Sequence, residues 1–297
     1  MTAPGPDPSV QTSSSDPVLA SAPHRIDRVA LTVHDLGAVS AFYARAIGLE
    51  LFESAADHAL LGLSGRVLLE LRRDPAARRR SAREAGLFHT AFLLPNRADL
   101  GAWLAHAQAS GLRIEGAADH LVSEAIYLSD PEGNGIEIYA DRPSAAWPKS
   151  NGMIEMTNAP LDAQGLLREG AAQVWAGFPE GGSVGHVHLQ VGALEPAEAF
   201  YGAFLGFDVT CRYPGGSFFG SGGYHHQLAA NVWNSRGAGE RAYPSTGLAE
   251  VVIAARPDAL DALRGRLPAG TASGDDPARL TLRDPWGTLI ALEAAAG

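Results

Sequence analysis

Ala125-Ile126-Tyr127-Leu128-Ser129-Asp130-Pro131-Glu132-Gly133-Asn134-Gly135-Ile136-Glu137-Ile138-Tyr139 reads as strand, tight turn, strand. Residues 130–135 are dense in turn formers, so the chain reverses there. On the return strand Ile136 and Ile138 share one face while Glu137 and Tyr139 take the other. A carboxylate flanked by two isoleucines at strand spacing points away from the core, into whatever the sheet encloses.

The hairpin closes a longer pattern that recurs along the chain. Residues 26–33 alternate, with Val29, Leu31 and Val33 on one face. A helix carries Val39, Phe42, Tyr43, Ala46 and Ile47 at helical spacing and stops at Gly48. Residues 49–52, 59–63 and 66–72 follow as three short strands. After a basic, Ala-rich connector (75–84) a second unit begins with a strand over 86–94 that carries His89. Its helix over 99–110 turns Leu100, Trp103, Leu104 and Ala107 inward, and its strands end on the quoted hairpin. Residues 184–210 then repeat 26–52 without a gap: Val187, Leu189, Val191, Leu194, Ala199, Phe200, Tyr201 and Gly206 match residues at the corresponding places. Residues 247–255 answer 86–94, and Asp284-Pro285-Trp286-Gly287 answers Asp130-Pro131-Glu132-Gly133. The chain is therefore four copies of one βαβββ motif.

At 297 residues two domains are expected, with 46% apolar content typical of a globular chain. No apolar run approaches the ~18 residues of a membrane span. A net charge of −10 argues against a nucleic-acid partner. The single cysteine, Cys211, excludes an internal disulfide and fits a reducing cytoplasm. Residues 1–23, rich in Pro, Ser, Ala and Thr, are expected to be a disordered tail, not a signal peptide. Residues 143–183, with Trp147-Pro148-Lys149 and Phe178-Pro179-Glu180-Gly181-Gly182, read as an interdomain linker with a short helical patch near 161–168.

Gly185-His186-Val187-His188-Leu189-Gln190-Val191, the Ala-Phe-Tyr…Gly helix, Gly222-Gly223-Tyr224-His225-His226 and the stretch from Tyr127 to Glu137 resemble the vicinal oxygen chelate superfamily (glyoxalase, bleomycin resistance and extradiol dioxygenase proteins). More narrowly they resemble two-domain ring-cleaving enzymes of the catechol 2,3-dioxygenase type. The resemblance implies an α+β fold, with the four modules paired into two cup-shaped domains, residues 24–142 and 184–297. It also implies Fe(II) held by two imidazoles and one carboxylate, with open positions for a catecholate and O2. A nearby histidine would move a proton, and a tyrosine hydroxyl would hydrogen-bond the substrate.

Carried over residue by residue, the resemblance gives the N-terminal cup His89 and Glu137 as metal ligands, Tyr127 on the substrate and His120 as a polar wall. Arg28 stands where the first histidine belongs, and a guanidinium has no lone pair for a metal. The C-terminal cup has His186 in place, Glu250 where His89 stands, and Ala291 where Glu137 stands, with Glu293 two residues on. His226 matches the proton-transfer histidine. Glu70 decides how Arg28 is read, since its strand lies beside the first strand of the module. Either Glu70, His89 and Glu137 form a one-histidine, two-carboxylate site with Arg28 holding an anionic substrate, or Arg28 pairs with Glu70 or Glu137 in place of the metal. Trp233 and Tyr139 read as packing residues. The expected protein is thus extradiol dioxygenase-like and acts on a small aromatic or oxygenated ligand. Fe(II), another divalent ion or no metal remains open. A metal-free binding protein and a glyoxalase-like lyase or isomerase are the alternatives. No membrane partner is expected, and a homo-oligomer is compatible with the sequence.

Overall fold

The computed structural model describes residues 17–267 and 278–295. Among the described residues are seventeen strands: β1 His24–Val33, β2 Glu50–Ser54, β3 His58–Leu63, β4 Arg66–Arg73, β5 Gly86–Leu94, β6 Gly116–Asp119, β7 Ser123–Ser129, β8 Gly135–Asp141, β9 Lys149–Ser150, β10 Met153–Ile154, β11 Ser183–Gln190, β12 Asp208–Tyr213, β13 Gly216–Gly220, β14 Leu228–Asn231, β15 Gly247–Ala255, β16 Arg279–Arg283 and β17 Leu289–Ala294. β9 and β10 form a small ladder of their own; the rest build one seven-stranded and one eight-stranded sheet. The α+β class agrees with the sequence, and the first three modules show the βαβββ order; among the described residues the fourth shows β15, a helix over Pro257–Arg264, β16 and β17.

The order of pairing does not follow the chain. One sheet runs β16-β17-β15-β1-β4-β3-β2 and the other β12-β13-β14-β11-β5-β8-β7-β6. The first module therefore joins the fourth through β1 and β15, and the second joins the third through β5 and β11, both antiparallel. Consecutive pairing, with one cup in residues 24–142 and another in 184–297, is replaced by a nested arrangement in which each sheet draws on both halves. The two junctions are equivalent to the residue. Register shifts fall between Ile26/Arg28 and Ala30/Leu31 in β1, and between Val184/His186 and His188/Leu189 in β11. Arg28 and His186 thus occupy the same place on equivalent strands, as the ungapped repeat predicts.

The hairpins are closed as the turn residues require. Asp130 Oδ1 accepts from the backbone N–H of Glu132 (2.8 Å) and Asn134 (2.9 Å), and Gly133 takes φ 81°, open to glycine at no steric cost. Asp284 does the same with Trp286 (2.9 Å) and Thr288 (2.7 Å), with Gly287 at φ 84°. Each aspartate also accepts a tyrosine from the preceding module: Tyr43 to Asp130 at 3.5 Å and Tyr201 to Asp284 at 2.7 Å. Both tyrosines lie where a helix widens into a π turn, over Tyr43–Ile47 and Glu198–Phe204. Consecutive modules are thus tied by buried tyrosine–aspartate bonds, and non-consecutive ones by the sheets.

Two segments expected to be loose are packed. Residues 17–23 begin with a helical turn, Pro17–Ala20, whose Leu19 is buried in a cluster with Tyr139, Trp147 and Tyr224; residues 1–16 lie outside the described residues. Within 143–183 a helix over Ala163–Gly170 packs on the helix Arg97–Ala109. The two backbones meet at Gly101 and Gly170. A Cβ on Gly101 would lie 2.2 Å from Leu166 O, and one on Gly170 2.4 Å from Ala102 N. The segment is a docked element of the second module. Among the described residues no helix is long and apolar enough to cross a membrane.

The close approach of these helices sets a stability outcome. Gly101→Val forces side-chain atoms into the backbone of the docked helix, so unfolding free energy should drop by about 2–4 kcal/mol in urea titrations. A loss under about 0.5 kcal/mol would contradict the close approach.

His24, at the start of β1, is buried, has no partner on either ring nitrogen, and lies 4.7 Å from the Phe207 ring. Burial, aided by Arg266 and Arg256, pushes it down to about 4. The unfolded chain therefore takes up this proton below about pH 6.5 while the folded chain does not until about pH 4, so stability falls as pH drops through that window. His24→Phe should lose on the order of 2 kcal/mol less than the wild type between about pH 7 and about pH 4.5. Equal losses in the two proteins would show that His24 is not held neutral.

Candidate active site

The concave face of the β5–β11 sheet gathers the titratable groups. His89 projects from β5, Glu137 from β8 and His186 and His188 from β11, with His188 directly opposite His89 across the junction. All four are buried. His89 Nε2 lies 2.8 Å and His186 Nε2 3.1 Å from the same oxygen, Glu137 Oε2. The three candidate ligand atoms fall within 4.8 Å of one another. Two imidazoles and one carboxylate, converging from three strands, match the two-histidine, one-carboxylate donor set of non-haem iron sites. His89 Nε2 has no hydrogen-bond partner despite its distance from Glu137. A buried ring nitrogen aimed at this shared point without a usable N–H···O angle is the orphan a cation would satisfy.

The charge state of the cluster suits that role. Burial alone would raise Glu137, but the facing His186 and His89 outweigh it and hold the carboxyl well below its usual range. Burial pushes His186 down, and His188 and His226 well down, which favours the neutral imidazole in each. His188 Nε2 accepts from Asn231 Nδ2 at 3.0 Å, so that nitrogen is already engaged.

A cavity of about 250 Å³ opens over the cluster. Tyr127 and His120 stand on one wall, joined at 2.6 Å between Tyr127 Oη and His120 Nε2, and His120 Nδ1 lies 2.7 Å from Thr157 O. Burial, then the Glu137 carboxylate, pushes the Tyr127 hydroxyl well above its usual value, so it stays protonated and able to donate. His226 stands on another wall, its ring 4.2 Å from that of His186. Phe88, Phe218 and Trp233 are in edge or tilted contact around His188 and form the apolar side. Among the described residues lining the cavity there is neither lysine nor arginine.

Four residues named from the sequence lie elsewhere. Arg28, Glu70, Glu250 and Glu293 belong to the β1–β15 sheet and form one ion-pair chain there. Arg28 makes a two-pronged pair with Glu293 at 2.8 and 3.0 Å and a contact with Asp27 at 2.6 Å, not a bridge to Glu70 or Glu137. Glu70 pairs two-pronged with Arg72 at 2.8 and 3.0 Å. Arg72 also reaches Glu250 at 2.8 Å, and Arg279 bridges Glu250 and Glu293. Glu70 is therefore remote from His89 and Glu137, Arg28 does not border the cavity, and Glu250 is committed to two arginines. The nested pairing is the cause: it places His186, rather than Arg28, opposite the second module. Other cavity residues escape a reading of the sequence. Met156, Thr157 and Asn158 come from the supposed linker, and Trp233, 42% exposed, stands at the cavity rather than in the core. The His-x-His pair at 186 and 188 is the readable signal for the missing imidazole.

Comparison with known proteins agrees with this geometry. The model of the Glyoxalase/Bleomycin resistance protein/Dioxygenase superfamily matches residues 25–138 and 183–292. The chain is 42% identical over 223 residues to the catechol-2,3-dioxygenase of Bacillus subtilis (strain 168), covering 73% of this chain and 78% of that protein. Among solved structures it is similar to glyoxalase I from Zea mays, at a TM-score of 0.54, 16% identity, and 91% and 92% coverage of the two chains. It is also similar to the cppA protein of Streptococcus pneumoniae TIGR4, at 0.52, 12%, 91% and 99%. At such identities these last two likenesses concern the fold.

The two acidic candidates part in a direct measurement. Glu137→Gln should abolish stoichiometric binding of added Fe(II) or Zn(II), read by metal analysis after gel filtration, while Glu70→Gln should leave it unchanged. Loss of metal from the Glu70 variant alone would return the ligand role to the other cup.

Proposed function

This chain belongs to the glyoxalase/bleomycin resistance protein/dioxygenase superfamily, and on that premise we propose that it is an Fe(II)-dependent extradiol dioxygenase opening the ring of small, uncharged catechols. The observation that carries the reading is the convergence of His89, Glu137 and His186 on one point at the floor of an aromatic-walled cavity. Held by His89, His186 and Glu137, Fe(II) would leave open positions for the two vicinal oxygens of a catechol and for O2. Both atoms of O2 enter the product, the ring bond beside one hydroxyl breaks, and no external reductant is consumed.

The remaining work falls to the protein. Tyr127, kept protonated, offers its hydroxyl to a substrate oxygen, with His120 at 2.6 Å to share the proton. His226, neutral and on the adjoining wall, is the group that takes or returns a proton at the other substrate oxygen. Phe88, Phe218 and Trp233 pack the flat ring and exclude water from it. Because no lysine or arginine lines the cavity among the described residues, a ring carrying a carboxylate would be desolvated there without a partner. The same point weighs against an anionic thioester of the glyoxalase kind, as does the donor set: with Glu70 paired to Arg72 in the other sheet, one carboxylate is left, not two. A reducing cytoplasm would keep both ferrous iron and Cys211 reduced.

The test is oxygen uptake with catechol by protein loaded anaerobically with Fe(II), alongside metal analysis of the protein as purified. Stoichiometric iron and catechol-dependent uptake, abolished in His89→Ala and His186→Ala, are expected. 4-Methylcatechol should be used about as well as catechol, and 3,4-dihydroxybenzoate at least about tenfold less well in kcat/KM. Zinc or nickel without oxygen uptake would favour a glyoxalase-like lyase or isomerase, and turnover in His186→Ala would remove the site.

A further inference from the structure

Behind His226, on the side away from the cavity, lies a buried polar chain that the proposed chemistry does not use. His226 Nδ1 is 2.7 Å from His225 Nδ1, and His225 Nε2 is 2.8 Å from Asp141 Oδ1. Asp141 Oδ2 accepts from the Tyr224 hydroxyl at 2.7 Å, and Tyr139 Oη lies 3.0 Å from Tyr224 Oη. His225, Tyr224 and Tyr139 are fully buried, and the Asp141 side chain is 8% exposed. The links cross the junction between halves: Asp141 ends β8, while Tyr224, His225 and His226 sit in the loop before β14.

Donor counting fixes the protons. A carboxylate only accepts, so Asp141 takes the proton of His225 Nε2 and that of Tyr224, and Tyr139 must then donate to Tyr224. A neutral imidazole has one N–H. With that proton on Nε2, His225 presents a bare Nδ1, and the 2.7 Å contact requires His226 to donate from its own Nδ1. The nitrogen of His226 left for the cavity is Nε2, with its lone pair free. Opposite tautomers would set two lone pairs or two N–H groups against each other inside a dry core.

We propose that Asp141 and His225 are positioning residues that hold the His226 proton on Nδ1 and so present Nε2 to the cavity as a base. The proposal rests on the extradiol reading for the role of that base, but the tautomer itself does not. Asp141 acts through two rings, as an orienting carboxylate acts through one in the Ser-His-Asp arrangement of hydrolases. Tyr224 and Tyr139 fix the carboxylate's orientation. The Gly185 backbone passes so close to Tyr139 that a Cβ there would lie 1.8 Å from its hydroxyl, which leaves that group little room to turn away.

The test has two arms. In Asp141→Asn the Tyr224 hydroxyl keeps the amide oxygen on its side, and the NH2 turns toward His225 Nε2. The chain of protons then reverses, and His226 carries its proton on Nε2. Nitrogen-15 shifts of labelled histidine in the full chain, stripped of metal by chelator, should show His226 protonated on Nδ1 in the wild type and on Nε2 in Asp141→Asn. In the iron-loaded protein, Asp141→Asn and His225→Gln should lower kcat for catechol about a hundredfold with KM changed less than about threefold, and Asp141→Glu should recover part of the loss. A wild-type His226 protonated on Nε2, or variants whose kcat stays within about twofold of an active wild type, would overturn the relay. A wild type that cleaves no catechol would instead sink the proposed function, and the nitrogen shifts would still decide the relay.

Discussion

The antiparallel pairing of β5 with β11 is the contact on which the site depends. It joins the second module to the third, and so carries His186 from one half of the chain to His89 and Glu137 of the other. His186 and His188 lie two residues apart on β11, between its two register shifts, so the ordinary alternation of the pleat keeps both on the concave face. Because each half contributes one side of the cup, the site cannot form until both halves are folded against each other. The buried tyrosine–aspartate bonds, Tyr43 to Asp130 and Tyr201 to Asp284, tie consecutive modules and hold each half together for that docking.

Most of this is readable from the sequence, and the part that is not has a definite cause. Apolar alternation, the Asp-Pro turns and the ungapped repeat specify each module, because each feature is local or concerns two copies of one pattern. Which module meets which is not local. The first strands present the same apolar face to the helices and the same polar face to the cup whether the modules pair in chain order or nested, so no burial pattern separates the two. His89, Glu137, Tyr127 and His120 share one module, so spacing alone brings them together. His186 is legible as well, but chain-order pairing assigns it to the other cup and gives Arg28 and Glu70 the wrong partners. The placement of Glu70 beside β1 is itself sound: β4 pairs with β1 and sets Glu70 against Ala30. The error lies one strand further on.

The second cup shows what the same backbone becomes with other side chains. Where the first sheet has His186, His89 and Glu137, this one has Arg28, Glu250 and Ala291 at the equivalent positions. Glu250, 3% exposed, is met by both Arg72 and Arg279, and the chain of pairs runs on through Glu293 to Arg28. The outer members are about a quarter to two-fifths exposed, so each such pair contributes little by itself, roughly 0–1 kcal/mol. Glu250 is different. Removing either of its arginines would leave a buried carboxylate with a weakened partner set, which is where such networks become costly to break.

The contrast between the cups comes down to where the compensating positive charge resides. In the β1–β15 cup, Arg28, Arg72 and Arg279 are covalently part of the chain and fill the space between the carboxylates. In the β5–β11 cup, Glu137 is 2% exposed with its carboxyl held well below its usual range, while burial pushes the imidazoles of His186 and His188 down. Among the described residues, no guanidinium or ammonium borders that cavity. A buried carboxylate beside nitrogen donors, with no fixed cation, is incompletely compensated, and it is the same desolvation that a divalent ion at such a point would relieve. Three differences at equivalent places, His186 against Arg28, His89 against Glu250 and Glu137 against Ala291, therefore separate a cup with no guanidinium among its described lining residues from one that supplies its own cations.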